Sequence, residues 1–128
     1  MIKNILLVGL GGGIGSIARY LCQKWAYAIY PHHFPWGTFV VNIVGCFLIG
    51  IFWGMSFKSF NLNEDWKLFL MVGLCGGFTT FSAFTLEGIG LIREQRILLF
   101  FSYIVLSVIL GLVATYAGMK IIRSDLTL

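Results

Sequence analysis

Charge is scarce in this chain. Of 128 residues, nine are Lys or Arg and five are Asp or Glu, 11% in all. A soluble domain carries about 25%, so there is too little charge here to clothe a water-facing surface. Proline is nearly missing, with two residues, which excludes a proline-rich disordered segment. The three cysteines, Cys22, Cys46 and Cys75, have no Cys-x-x-Cys spacing and no clustered histidine partners, which argues against a thiolate metal site. They read as small packing residues, and His32-His33 as a loop feature. No Ser/His/Asp set, zinc spacing or paired carboxylates emerge, so the chain offers an enzyme nothing to work with. The net charge of +4 comes from basic residues dispersed around apolar segments, which suits lipid contact and excludes the clustered patch that nucleic acid needs.

What is present is apolar: 59% hydrophobic residues, 16 glycines and 12 phenylalanines, with a mean hydropathy of +0.91. Uncharged stretches run from Asn4 to Ala18, Trp25 to Phe57, Leu68 to Leu86 and Ile97 to Met119. A helix crosses roughly 30 Å of hydrocarbon in about 20 residues, so each stretch supports one crossing, the first by continuing past Arg19. The intervening loops cannot hold a core of their own. The expectation is an all-α membrane protein with four transmembrane helices in one domain, residues 1–128. Met1-Ile2-Lys3 resembles the start of a signal peptide but lacks a small-x-small cleavage site, so the first segment is expected to be retained.

Helices are expected from about Asn4 to Ile29, Trp36 to Phe57, Trp66 to Ile92 and Ile97 to Ile122, with a turn across Pro31 to Pro35. A loop follows from Lys58 to Asp65, and Asn63 is a plausible cap for Glu64 and Asp65. The third stretch is irregular. Gly73-Leu74-Cys75-Gly76-Gly77-Phe78-Thr79-Thr80 either bends for close packing or breaks the helix and frees carbonyls toward a cavity or ion. Small-residue pairs at Gly9/Gly13, Gly11/Gly15, Gly50/Gly54 and Gly73/Gly77 allow close helix approach. Gly13-x-Gly15-x-x-Ala18 imitates a dinucleotide fingerprint without any βαβ context.

Trp25, Trp36, Trp53 and Trp66 fall near span ends, as interfacial anchors do. Lys3, Lys58, Lys67, Lys120 and Arg123 belong to one side of the membrane, and Lys24, Arg93, Arg96 and a snorkelling Arg19 to the other. So weak a bias permits insertion in both orientations. Two copies paired antiparallel would then build between them the interior that four short helices lack.

The polar residues inside the spans need reasons. Arg19 suits an interfacial anchor, an electropositive vestibule or a structural ion pair. Thr38 and Asn42 share one helical face; Tyr103 and Ser107 repeat the spacing on the fourth helix, and Gly111 leaves room beyond them. Such rows serve interhelical hydrogen bonding or a wetted, uncharged path. Phe81 and Phe84 share a face as core aromatics, or as rings whose positive edges meet an anion. Glu87 is open to proton relay, interfacial exposure or pairing.

Three motifs then combine: Gly11-Gly12-x-x-Gly15-x-x-x-Arg19-Tyr20, Gly37-Thr38-Phe39-x-x-Asn42-x-x-Gly45, and Gly76-Gly77-Phe78-Thr79-Thr80-Phe81-Ser82-Ala83-Phe84. Together, across all four spans in order, they resemble the small fluoride-channel family called Fluc or CrcB. The resemblance implies a dual-topology antiparallel homodimer in the bacterial inner membrane, with a broken third helix, passing fluoride passively through narrow pores at the dimer junction. It implies Phe81 and Phe84 as pore phenylalanines, lined also by Thr38, Asn42, Tyr103 and Ser107, and Arg19 near an aqueous entrance. It further implies a central structural Na⁺ on the backbone carbonyls of Gly76 and Thr79. Ala83 stands where threonine is frequent in that family, and Cys46 where serine is. The competing readings are a small proton-coupled exporter dependent on Glu87 and a structural membrane adaptor.

Overall fold

Helix α1 (Ile2–Ile29) runs unbroken past Arg19. At 1.5 Å per residue it is ~42 Å long, more than the hydrocarbon thickness. The computed structural model describes residues 1–30, 33–57 and 62–125. Pro31 and His32 of the expected turn, and Lys58 with the following three loop residues, lie outside them. Helix α2 (Trp36–Met55) stops two residues before the expected Phe57. There the Ser56 hydroxyl donates to the Trp53 carbonyl at 2.6 Å, and the Phe57 N–H reaches only three residues back, to Gly54. This tightening ends the helix.

The third span is assembled from pieces. Asn63 caps α3 (Glu64–Lys67), its Oδ1 accepting from the Trp66 N–H at 3.0 Å. A π-helical segment, Leu68–Cys75, follows and passes into the single turn of α4 (Gly76–Phe78). Thr79 and Thr80 are extended, and α5 (Phe81–Arg93) resumes beyond them. The broken third helix is therefore real, at the paired threonines. The π segment was not foreseen: Leu68 to Cys75 is apolar throughout, with no polar periodicity to separate a π turn from an α turn. Helix α6 (Ile97–Ile122) is continuous, as expected.

Among the described residues four helical stretches are long and apolar enough to cross a membrane, Ile2–Ile29, Trp36–Met55, Glu64–Arg93 and Ile97–Ile122, and the chain is a multi-pass membrane protein. Two seams hold it together, α1 against the π segment and α2 against α6. Both are glycine seams. A Cβ on Gly15 would press into the Leu74 carbonyl and come 2.9 Å from the Phe78 nitrogen. One on Gly118 would do the same to Phe47 and Ile51 across the second seam. Backbones this close gain dispersion that lipid cannot supply. Gly11/Gly15, Gly73/Gly77 and Gly50/Gly54 are spent inside the chain, whereas Gly9 and Gly13 face open space.

Ion pairs mark the two ends. Lys3 meets Asp65 at 3.2 Å, joining the starts of α1 and the third span. At the other end, Arg96 faces Glu94 at 3.5 Å and hydrogen-bonds His33 at 2.8 Å. Lys3 and Arg96 thus stand at opposite ends of the helices.

Candidate permeation site

The site is built around the break at Thr79-Thr80, which neighbouring helices hold open. In a continuous helix the Thr80 N–H would return to the Gly76 carbonyl. Instead it donates to Asn42 Oδ1 at 2.8 Å, while Asn42 Nδ2 donates back to the Thr80 carbonyl at 3.1 Å. From α1, Arg19 Nε donates to the Gly77 carbonyl at 3.0 Å. Thr80 Oγ1 caps α5 by accepting from the Ala83 N–H at 3.2 Å, diverting the donor that a helix would send to Thr79. Thr79 anchors the other side, its hydroxyl donating to the Cys75 carbonyl at 2.8 Å. Gly45 makes room, since a Cβ there would collide with the Thr79 methyl.

The carbonyls of Gly76 and Thr79 thus lose the N–H partners that helix geometry would provide. Neutral carbonyl oxygens suit a hard cation, so the residues present fit the expected Na⁺. Among the described residues no group of His, Cys, Asp or Glu gathers to hold another kind of metal.

Beside the break lies a cavity of ≈ 410 Å³, and its wall includes Asn42, Thr79, Thr80, Phe81, Phe84 and Ser107. The Phe81 and Phe84 ring centroids are 5.8 Å apart, and Phe81 is 77% exposed in the single chain. The Ser107 hydroxyl is buried without a hydrogen-bond partner among the described residues. Cys46, Cys75 and Met71 add polarizable sulfur to the wall, and among the described residues no charged side chain lines it.

The six expected lining residues divide. Asn42, Phe81, Phe84 and Ser107 come together on this cavity. Thr38 and Tyr103 do not line it; both are fully buried one layer away. There Gln23 Nε2 donates to Thr38 Oγ1 at 3.0 Å, and Thr38 donates to Glu87 Oε1 at 2.6 Å. The Tyr103 hydroxyl approaches the other carboxylate oxygen at 3.4 Å. Glu87 is thus engaged by hydroxyls on one side and, half-buried, lines an open cleft on the other. Gln23 was missed by sequence reasoning; its position at Thr38 depends on how α1 crosses α2. The Tyr103 ring rests 5.0 Å from Phe84, so the hydroxyl cluster and the cavity share a wall. On the far side of Glu87 a second, polar cleft of ≈ 210 Å³ opens among Tyr27, His33, Pro35, Glu87 and Glu94. Arg19 lines neither space and supports the break by its bond to Gly77.

A family model described as CrcB-like protein, Camphor Resistance (CrcB), matches residues 6–119. The chain is 48% identical over 121 residues to a fluoride-specific ion channel FluC of Flavobacterium psychrophilum, covering 94% of this chain and 98% of that protein. It is 47% identical over 116 residues to the FluC of Phocaeicola vulgatus, covering 91% and 95%. With the FluC of Rhizobium etli, identity is 44% over 119 residues, covering 93% and 95%. Glycine seams, a threonine break and a phenylalanine-lined cavity thus sit in a chain that matches these proteins nearly end to end, and it belongs to the CrcB-like family.

Proposed function

We propose that the chain is a fluoride channel, passing the ion without covalent chemistry or proton coupling. One observation carries this reading: a cavity that, among the described residues, has no charged wall and sets phenylalanine rings beside a buried Ser107 hydroxyl with no partner. A donor kept free at membrane depth is costly and is explained by an anion that takes it up in passing. Ring edges of Phe81 and Phe84 carry positive partial charge, and Asn42 keeps one amide N–H beyond its bonds to Thr80. Weak, neutral contacts replace part of the hydration shell and let the ion leave. An inside-negative potential favours expulsion by about 2.3 kcal/mol per 100 mV. The FluC names of the relatives supply the ion's identity.

Within this reading two copies pair antiparallel in the inner membrane. Support comes from the weak charge bias and from Phe81, whose exposed ring leaves the cavity walled on one side only. The Gly76 and Thr79 carbonyls, joined by those of a second copy, would hold a structural Na⁺, which supplies positive charge that stabilises the break. Arg19, with guanidinium donors remaining after its bond to Gly77, adds electropositive character on the approach. The polar cleft beside Glu87 serves as an aqueous mouth. A proton-coupled exporter is not favoured: Glu87 stands outside the cavity and is engaged by Thr38 and Tyr103.

The test is efflux from liposomes carrying purified protein, fluoride against chloride, with no proton gradient. Fluoride is expected to leave rapidly and chloride to be retained. Phe81→Ile keeps apolar bulk and removes the ring edge. A ring interaction of ~0.5–1.5 kcal/mol makes the expected loss of flux roughly two- to tenfold, with dimer recovery unchanged. Wild-type flux in that variant would exclude the ring from the path.

A further inference from the structure

Resting on the reading of the polar cleft as a channel mouth, we propose that His33 is a proton-sensitive clasp across that mouth, joining the segment before α2 to the turn between α5 and α6. His33 Nε2 lies 2.8 Å from the Arg96 guanidinium. A guanidinium only donates, so this bond requires an imidazole nitrogen bearing no proton. The other ring nitrogen, Nδ1, faces Glu94 Oε2 at 3.7 Å, and Arg96 Nε faces the same oxygen at 3.5 Å. The three side chains form a closed triangle in which the neutral imidazole is the hinge piece. Across the cleft stand Tyr27 of α1 and Glu87 of α5.

Protonation changes both partner and charge. The imidazolium cannot accept from Arg96, and two cations at hydrogen-bond distance repel. His33 then turns to Glu94, in the same turn as Arg96, so the two segments stay joined while the partner and the charge at the mouth change. The mouth also gains a positive charge facing Glu87 and Glu94, which lowers the barrier those carboxylates set against an approaching anion. Imidazole is the side chain that ordinarily makes this change between pH 5 and 8. The added positive charge acts toward faster fluoride entry in acid. Because His33 and Glu94 are more than half exposed, water screens the effect and keeps it modest.

The experiment measures fluoride efflux from liposomes at symmetric pH, from about pH 7.5 to about pH 5.5, with leak in protein-free liposomes subtracted at each pH. Wild-type flux is expected to rise about two- to fivefold as pH falls, the range that coupling between exposed charges allows. His33→Gln, whose amide oxygen accepts from Arg96 at every pH, is expected to be flat. His33→Lys, with a fixed charge that cannot accept, is expected to be fast at both ends. A flat wild type, or a rise in His33→Gln equal to the wild type's, overturns the clasp; the second result assigns the response to another group such as Glu87. Absence of fluoride flux at every pH sinks the channel reading first and the clasp with it.

Discussion

Asn42 is the residue on which the break is most exposed to test. Its side-chain amide makes two bonds to one residue, accepting from the Thr80 N–H at 2.8 Å and donating to the Thr80 carbonyl at 3.1 Å. Asn42→Ala deletes both. Each hydrogen bond is worth ~0.5–1.5 kcal/mol net, and a buried group left unpaired costs ~1–3 kcal/mol. The Thr80 N–H has one escape, to swing back to the Gly76 carbonyl and heal the helix, which abolishes the extended pair. Allowing for partial rescue by that route or by water, the expected loss is about 2–4 kcal/mol. Asn42→Asp keeps the acceptor at 2.8 Å but turns a second oxygen toward the Thr80 carbonyl. It is expected to lose at least as much stability, because oxygen then faces oxygen and a carboxylate is placed at membrane depth, and to lose flux through its charge. The assay pairs unfolding in mixed micelles, followed by tryptophan fluorescence, with liposome fluoride efflux. If Asn42→Ala stays within ~0.5 kcal/mol of wild type, below the value of even one such bond, and still conducts, then the amide does not hold the break.

Three further outcomes are expected. Ser107→Ala removes a buried hydroxyl with no partner among the described residues, so stability should be unchanged or rise by ~1 kcal/mol while fluoride efflux falls; loss of stability would mean the hydroxyl is satisfied. Gly15→Ala places a methyl against Leu74 and Phe78 backbone and should cost ~1–3 kcal/mol by overpacking, whereas Gly13→Ala, facing open space, should cost nothing in the same denaturation assay. Gln95→Gly should stabilise by roughly 0.5–1 kcal/mol. Gln95 sits at φ 59°, where the Arg96 N–H bonds the Leu91 carbonyl at 2.8 Å to close the end of α5, a position glycine fills without steric cost; an unchanged unfolding midpoint would count against that strain.

The four spans were legible from the chain alone because hydrocarbon imposes a single demand, about 20 apolar residues per crossing, and uncharged runs satisfy it visibly. The helix bounds at Ile29, Trp36, Ile97 and Ile122 follow from that demand and from where charge and proline stop it. The Asn63 cap was equally local, a side chain serving a backbone donor three residues on. The break at Thr79-Thr80 was half legible: glycines beside β-branched hydroxyl residues mark weak helix, but a bend and a gap share that signature. Only the arrival of Asn42 from α2 and Arg19 from α1 decides between them, because each takes over a backbone group that the helix would otherwise use. The same distinction separates Ser107 from Thr38. Both are small hydroxyl residues on polar rows, yet tertiary packing gives Thr38 to Gln23 and Glu87 and leaves Ser107 alone on the cavity wall. Sequence spacing states which side chains share a helix face; what that face meets is set by the crossing of glycine seams, where contact between backbones distant in the chain determines which polar atoms are satisfied and which stay available to an ion.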